Sequence, residues 1–226
     1  MMNSNKPKSA LLVGASGLVG GHCLQFLLNE PSYARITVLV RTPLSINHEK
    51  LIQHTIDFDE VTTLGELFAV DDVFCCLGTT IRKAGTQEAF RKVDFDYPIK
   101  IAALTQHCGA NKFLLVSSLG ADPHSRIFYN RVKGELEEAI QKISFKAFHV
   151  FRPSLLLGDR KEIRTGKKIG AFAMMALKNV MIGRLKKYRA VQARDVAKVM
   201  VGAAQMNLTG MNIFESERIQ EIADLL

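Results

Sequence analysis

The 226-residue sequence has few of the residues that mark several large classes of protein. It has no tryptophan and four cysteines, and no apolar run approaches the roughly 18 residues that a membrane-spanning helix needs. The cysteines form no C-x-x-C pair and no histidines stand at metal-ligand spacing, which argues against a disulfide framework and a zinc site. We expect buried free thiols, no bound metal and, because the opening M-M-N-S-N-K-P-K lacks an apolar signal region, a cytoplasmic protein.

Positive charge is concentrated in one segment. Residues 160–189 hold ten Lys and Arg and one acid, a balance of +9 against a total of +8. Apolar residues recur at helical spacing over 169–180, which favours a helix with a buried stripe and a solvated basic face. A membrane-surface or acyl-binding helix and a funnel for anionic substrates are the alternatives. We expect no nucleic-acid binding, because the few aromatic residues are not interleaved for stacking.

Apolar strands alternate with helical patterns over most of the chain. This alternation predicts an α/β fold, a Rossmann-like doubly wound parallel sheet with a small C-terminal cap. We expect one domain over 1–226, with its core at about 8–158 and the cap drawn mainly from 159–226. The predicted strands cover 10–13, 35–40, 50–56, 72–77, 112–117 and 146–152. The predicted helices cover 18–28, 60–68, 87–108 (kinked or split at Pro98) and 128–143, and the predicted cap comprises helices at 169–180 and 195–206 and a strand at 211–214.

Three glycines interrupt the first apolar run, L-L-V-G-A-S-G-L-V-G-G over 11–21. The first glycine permits a sharp turn out of the strand, the second lets the backbone approach a pyrophosphate, and the third lets the next helix pack on the sheet. The helix would present its positive end to the phosphates. The sequence therefore predicts a dinucleotide site, with these cofactor-binding residues: Gly14, Ser16, Gly17, Leu18 and Val19.

The ends of the next strands indicate which dinucleotide is bound. The second strand ends at Arg41 with no acid nearby, and an arginine there accommodates a 2′-phosphate, so we predict NADP(H) in preference to NAD(H). The alternative for Arg41 is that it only caps the end of its strand. After the third strand, Asp57 could accept a hydrogen bond from the adenine amino group beside Phe58, and the alternative there is a solvated turn. Small residues after the fourth strand would let the backbone pass over the cofactor: Leu77, Gly78, Thr79 and Thr80.

A reactive set follows the fifth predicted strand. Ser117 and Ser118 lie where open α/β sheets bind ligands, and Tyr129 and Lys133 lie four residues apart on one helix face. A nearby ammonium makes a phenol, ordinarily of pKa about 10, a better acid–base group. Ser118 would polarise a substrate carbonyl by a hydrogen bond.

These segments resemble the atypical short-chain dehydrogenases/reductases, and among them the TIP30 (CC3)-like oxidoreductases. The resemblance implies NADP binding and a Ser118–Tyr129–Lys133 active site, with Ser118 preferred over Ser117 by an offset of one residue. It also implies that Lys133 contacts the nicotinamide ribose and that 153–155, beginning at Pro153, flank the nicotinamide. Many extended members carry Asn where this chain has Asp94. The matching segments are G-A-S-G-L-V-G-G, V-L-V-R, C-L-G-T-T, V-D-F-D-Y-P, V-S-S-L-G-A, F-Y-N-R-V-K-G-E-L-E, F-R-P-S-L-L-L-G and, later, Q-A-R-D-V-A.

Three functions remain open from the sequence. The first is an NADPH-dependent reductase of a small carbonyl or enone compound. The second is an NADPH-binding regulator with little turnover, and the third is an NDP-sugar epimerase or dehydratase, which the short cap disfavours. We expect a small-molecule substrate and a monomer or homodimer.

Overall fold

The computed structural model describes residues 7–61, 65–158 and 188–226. The strands are β1 Lys8–Val13, β2 Tyr33–Val40, β3 Leu51–Thr55, β4 Asp72–Cys75, β5 Lys112–Val116, β6 Ala147–Arg152, β7 Leu156–Leu157, β8 Val191–Gln192 and β9 Gly210–Glu215. The helices are α1 Leu18–Asn29, α2 Ile81–Ala84, α3 Gln87–Arg91, α4 Tyr97–His107, α5 Phe128–Gln141, α6 Ala193–Gln205 and α7 Ser216–Leu225.

Seven parallel strands form the main sheet, in the order β3-β2-β1-β4-β5-β6-β9. The chain moves outward from β1 in one direction and, after β3, crosses over to β4 and continues in the other. The carboxyl ends of β1 and β4 therefore flank a topological switch point, where open α/β sheets bind their ligands. This architecture confirms the predicted Rossmann-like fold.

Both faces of the sheet are covered, which explains the almost continuous apolar strands. One core joins the sheet to α1, α6 and α7. The other joins it to α4, α5 and a short 3₁₀ turn, Gly65–Phe68. Every residue from Ala10 to Val13 is fully buried between these two cores.

Two of the predicted cap elements belong instead to the main sheet and to the helical layer that covers it. The predicted strand at 211–214 is β9, which extends the sheet beside β6. The predicted helix at 195–206 is α6, which packs beside α1 on one face. These two elements therefore do not pack as a cap on the carboxyl edge. Half of an edge strand faces solvent, so β9 lacks the unbroken apolar run by which we recognised the central strands.

The predicted long helix at 87–108 is split ahead of Pro98. Between α3 and α4 the chain forms a π-helical turn, Lys92–Asp96, in which the Tyr97 N–H donates to the Lys92 carbonyl. A proline ring has no N–H and crowds the carbonyl four residues earlier, so the chain widens before it. The predicted helix at 60–68 is reduced, in the described residues, to the 3₁₀ turn.

Several expectations fall in the part of the chain that the structure does not describe. The predicted helix at 169–180 and nearly all of the basic segment lie within 159–187. Over the described ranges, no helix has the length and apolarity needed to cross a bilayer. All four cysteines are free, as expected; Cys23 and Cys75 are buried, whereas Cys76 and Cys108 are only half-buried.

Candidate active site at the carboxyl edge of the sheet

The glycine turn between β1 and α1 is shaped to receive a phosphate. Gly14 has φ +84°, and a Cβ there would lie 2.4 Å from the Cys76 carbonyl oxygen. A Cβ on Gly20 would lie 2.1 Å from the Gly14 oxygen, so α1 packs against the turn only because both residues are glycine. Gly17 precedes α1 with no side-chain cap, which leaves the first N–H groups of the helix available to an anion.

The other residues predicted around this turn occupy different environments. Ser16 and Gly17 are exposed, Leu18 is half-buried, and Val19 is buried in the core. Val19 can therefore contribute to binding only through its backbone. A glycine-rich turn of this form fits the pyrophosphate of a dinucleotide.

The loop after β2 presents an exposed arginine. Arg41 directly follows β2 and has no ion-pair partner within the described ranges. Gln53 on β3 fastens the loop: its Oε1 accepts from the Leu44 N–H at 2.9 Å, and its Nε2 donates to the carbonyls of Leu44 and Ile46 at 3.1 and 3.0 Å. Our sequence reasoning missed this role of Gln53, because a single polar residue in a strand gives no signal.

The residues that follow β3 and β4 differ in their exposure. Asp57 is exposed and accepts a hydrogen bond from the Asp59 N–H at 2.9 Å. Phe58 is buried and packs against Tyr97, with 5.3 Å between the ring centroids. After β4, Leu77 to Thr80 form the predicted loop, in which Gly78 is exposed and the other three are half-buried.

The two serines after β5 have different surroundings. The Ser117 hydroxyl donates a hydrogen bond to Glu137, which also accepts one from Arg152 Nε at 3.1 Å. The Ser118 hydroxyl is also buried but has no hydrogen-bond partner among the residues that the structure describes. A buried, unpartnered hydroxyl is costly in a folded protein and often marks a functional site. This difference favours Ser118 over Ser117 as the group available to a ligand.

Tyr129 and Lys133 lie on the first two turns of α5. The Tyr129 ring packs against Phe90 at 5.5 Å, and its hydroxyl has no hydrogen-bond partner in the described parts of the chain. Lys133 is buried and pairs with Asp94 across 2.8 Å. Burial is the largest single effect and opposes the charge of Lys133, but the Asp94 carboxylate and Tyr129 together outweigh it, so the pKa of Lys133 is raised.

A close contact joins the serine loop to α5. A Cβ on Gly134 would lie 2.2 Å from the Asp122 carbonyl carbon, so the loop rests on the helix only because this residue is glycine. The Leu119 N–H donates to the Pro153 carbonyl at 2.9 Å, which brings Pro153 next to the serine loop. Three separate segments therefore meet at the carboxyl edge.

The arrangement fits a nicotinamide dinucleotide. An open glycine turn follows β1, and two strands along, after β5, lies a serine hydroxyl with no partner among the described residues, in a loop that packs on the helix of Tyr129 and Lys133. No group of three or more His, Cys, Asp or Glu suited to a metal ion occurs among residues 7–61, 65–158 and 188–226. The expected absence of a metal stays a prediction.

A family model described as the NAD dependent epimerase/dehydratase family matches residues 10–214. The chain belongs to this family. The resemblance found in the sequence is confirmed, since rat Protein HTATIP2, a TIP30 protein, is 40% identical over 164 residues, 71% of this chain and 67% of that protein. Protein fmp52, mitochondrial, of Emericella nidulans is 32% identical over 215 residues, 92% of each chain.

Solved structures show the same fold at low sequence identity. MoeE5 in complex with UDP-glucose and NAD superposes with a TM-score of 0.68 at 13% identity, over 96% of this chain and 81% of that one. The UDP-glucose 4-epimerase of Thermotoga maritima, with UDP-glucose, gives 0.66 at 14% identity over the same shares. These likenesses concern the fold alone.

Proposed function

We propose that this protein is an NADPH-dependent oxidoreductase that reduces a small carbonyl or enone compound. The proposal is supported by the buried Ser118 hydroxyl, which has no hydrogen-bond partner among the described residues, and by the packing of its loop on α5, the helix that carries Tyr129 and Lys133. Membership of a family described as NAD dependent supports the cofactor class.

Each of the three residues has a separate task in this proposal. When bound, the dinucleotide would supply a hydride to the substrate. Ser118 donates a hydrogen bond to the substrate oxygen and stabilises the negative charge that develops there. Tyr129 gives its proton to the same oxygen. Lys133 holds its position beside the phenol and would hold the ribose, as the family resemblance implies.

The test of this function is NADPH oxidation across a panel of aldehydes, ketones and enones. We expect Ser118→Ala to lower turnover by about 10²- to 10³-fold, the usual cost of removing one such donor. Ser117→Ala is the matched control; it removes a hydroxyl held by Glu137 and should cost stability with little loss of turnover. Equal losses in the two variants would contradict the assignment of Ser118.

The preference for NADPH over NADH is also part of the proposal. It is supported by Arg41 at the end of β2, which is exposed and has no ion-pair partner in the described part of the chain. A ligand at one hundred times its Kd stabilises the folded state by about 2.7 kcal/mol, so the preferred cofactor should raise the Tm at lower concentration. We expect Arg41→Ala to remove the difference between the two cofactors. Tighter binding of NADH to the unaltered protein would contradict this part of the proposal.

Two other functions would give different results in the same assays. A regulator would bind NADPH tightly and turn over nothing in the panel, and it is favoured by the internal pairing of Lys133 with Asp94. An enzyme acting on NDP-sugars would be stabilised by UDP-glucose, the compound named for MoeE5.

A cytoplasmic location, a small-molecule substrate and a monomeric or homodimeric working state are further parts of the proposal. The fungal relatives are named mitochondrial. Fractionation of cells that express the untagged protein would decide the location.

A further inference from the structure

The loop between β2 and β3, residues 41–50, is fastened to the sheet at Leu44. The Leu44 N–H donates to Gln53 Oε1 at 2.9 Å, and the Leu44 carbonyl accepts from Gln53 Nε2 at 3.1 Å. The same Nε2 donates to the Ile46 carbonyl at 3.0 Å. The side-chain amide of Gln53 therefore pairs with the Leu44 backbone in both directions, as the backbone of a neighbouring strand does.

The side chain of Leu44 provides a second attachment. It packs, together with Leu51 of β3, against the core that lies under α1 and α6. Gln53 is half-buried on β3, an edge strand of the main sheet, and its side chain lies on the same face as that of Leu51 because strand residues two apart share a face. Leu44 is therefore held by the same face of β3 through its side chain and its backbone.

These attachments fix the backbone on both sides of Arg41. Immediately before Arg41, the carbonyl of Val40 accepts from the Ile56 N–H at 2.9 Å. Three residues after it comes Leu44, and between them Pro43 restricts its own φ. The stretch 41–43 is thus an exposed bridge of three residues between two anchored ends. Its backbone has few alternative paths, while the guanidinium of Arg41 is open to a ligand.

An ordered loop of this kind favours the binding of a phosphate. A guanidinium binds a phosphate through two parallel hydrogen bonds, which require a defined direction of approach. Binding to a loop that is already ordered loses less conformational entropy than binding to one that must first be ordered. Without the amide of Gln53, that entropy would be lost on binding and would weaken the contact with the 2′-phosphate. A dinucleotide without this phosphate makes no such contact, so its affinity would not change.

We propose that Gln53 is a positioning residue that sets the preference for the phosphorylated dinucleotide, because it holds the loop that carries Arg41. Gln53 itself does not contact the cofactor in this proposal and acts through Arg41. The inference rests on the proposed function, in particular on the preference for NADPH, and adds the residue on which that preference depends.

The test compares two fragments of the cofactor that need no hydride transfer, adenosine 2′,5′-bisphosphate and adenosine 5′-monophosphate. Calorimetric titration gives the Kd of each. We expect Gln53→Met, which keeps the length of the side chain and removes its hydrogen bonds, to raise the Kd of the bisphosphate by about two- to tenfold, the range that corresponds to ordering one long side chain. The Kd of the monophosphate should stay the same. Equal weakening of both ligands, or of neither, would overturn the inference.

His54→Leu is the matched control on the same strand. His54 is half-buried, and in the described ranges its side chain has no hydrogen-bond partner. The replacement alters β3 and leaves the amide of Gln53 in place, so we expect neither Kd to change. A loss of selectivity as large as that of Gln53→Met would show a general effect of altering β3 and would overturn the specific role of Gln53.

A double variant shows whether Gln53 acts through Arg41. If it does, Arg41→Ala combined with Gln53→Met should bind the bisphosphate no more weakly than Arg41→Ala alone, because the group that Gln53 positions is already absent. Losses that add together would mean that Gln53 acts independently of Arg41, and this would overturn the inference.

Hydrogen exchange in the unaltered protein does not depend on the folding of any variant. The Leu44 N–H, which is bonded to Gln53, should exchange more slowly than the N–H of its neighbour Ser45, which is exposed and has no hydrogen-bond partner in the described part of the chain. Equally fast exchange at both positions would overturn the inference.

The outcomes separate the inference from the proposed function. A preference for the bisphosphate that survives in Gln53→Met would overturn the inference alone. A preference that depends on Gln53, in a protein without turnover, would overturn the reductase function alone. If the unaltered protein shows no preference for the bisphosphate, the preference for NADPH and this inference are both wrong.

Discussion

The two edges of the sheet use the same three residue types in different arrangements. At the amino edge, Asp72, Tyr33 and Lys8 lie at the starts of β4, β2 and β1. At the carboxyl edge, an aspartate, a tyrosine and a lysine also lie together, here as Asp94, Tyr129 and Lys133. The role of each set follows from which group the carboxylate binds.

At the amino edge the carboxylate binds the phenol. The Tyr33 hydroxyl donates to Asp72 Oδ2 at 2.6 Å, while Lys8 lies farther away at 3.4 Å and is one-third exposed. Burial, with the charge of Asp72, raises the pKa of Tyr33 far above its ordinary value. This tyrosine cannot release its proton in any ordinary pH range, so its role is structural.

At the carboxyl edge the carboxylate binds the ammonium instead. Asp94 Oδ1 lies 2.8 Å from Lys133 Nζ and Oδ2 accepts from the Thr79 N–H, and the Tyr129 phenol is bonded to no carboxylate of the described residues. Its proton is available to a ligand. The comparison indicates that residue types alone do not distinguish a structural cluster from a reactive one.

The largest effect that we expect comes from removing the two phenols in turn. Tyr129→Phe should lower NADPH-dependent turnover at least about 100-fold, since general acid catalysis contributes this much or more, and it should leave NADPH binding intact. Steady-state oxidation of NADPH and a thermal-shift titration measure the two quantities.

Tyr33→Phe is the corresponding variant at the amino edge. It should keep its turnover and lose about 1–3 kcal/mol of unfolding free energy, because Asp72 loses a buried hydrogen-bond donor. If Tyr33→Phe loses as much turnover as Tyr129→Phe, the division of roles between the two edges is wrong.

A smaller effect concerns how the carboxyl edge is assembled. Gly134→Ala would force a Cβ into the backbone at Asp122, and overpacking of this kind costs about 1–3 kcal/mol. We also expect lower turnover, because the displaced loop carries Ser118. Gly65→Ala is the control, since nothing lies within 4 Å of its Cβ position; urea unfolding that shows equal losses for both would contradict the close contact.

The last expected effect is a pH dependence of stability with no change of turnover, and it comes from His149, between the two edges. This histidine is fully buried on β6, and neither ring nitrogen is hydrogen-bonded to any described residue. Burial, helped by the charge of Lys112, lowers its pKa to about 4. Since the unfolded chain titrates near pH 6.5, the folded state is favoured above that pH and loses stability as the pH falls towards 4.

We expect this histidine to cost about 2 kcal/mol of unfolding free energy between pH 7 and pH 5. His149→Leu should flatten the dependence over that interval, as measured by urea unfolding at several pH values. The same pH dependence in both proteins would assign the effect to other groups. Turnover at pH 7 should not change in this variant.

Some elements could be predicted because their signals are local. The glycine turn carries its signal within seven residues, and the central strands carry theirs in unbroken apolar runs. The strand β9 was assigned to a cap, because an edge strand shows only a half-buried pattern. The π-helical turn was missed, because Pro98 indicates a break in the helix and not the shape of the break.

The site divides in the same way. The spacing of Tyr129 and Lys133 predicts that they are neighbours, because helical periodicity is a property of the chain itself. The separate environments of Ser117 and Ser118 could not be predicted, since they depend on Glu137 and Arg152 from other elements.

By itself, the sequence determined the class of sheet, the phosphate-binding turn and the positions that carry polar chemistry, because apolar runs, glycine spacing and helical spacing are local patterns. Only the tertiary structure decided which carboxylate meets which cation or phenol. Asp72 lies 39 residues from Tyr33, and Asp94 lies on a different helix from Lys133. Pairings over such separations are set by the packing of whole elements.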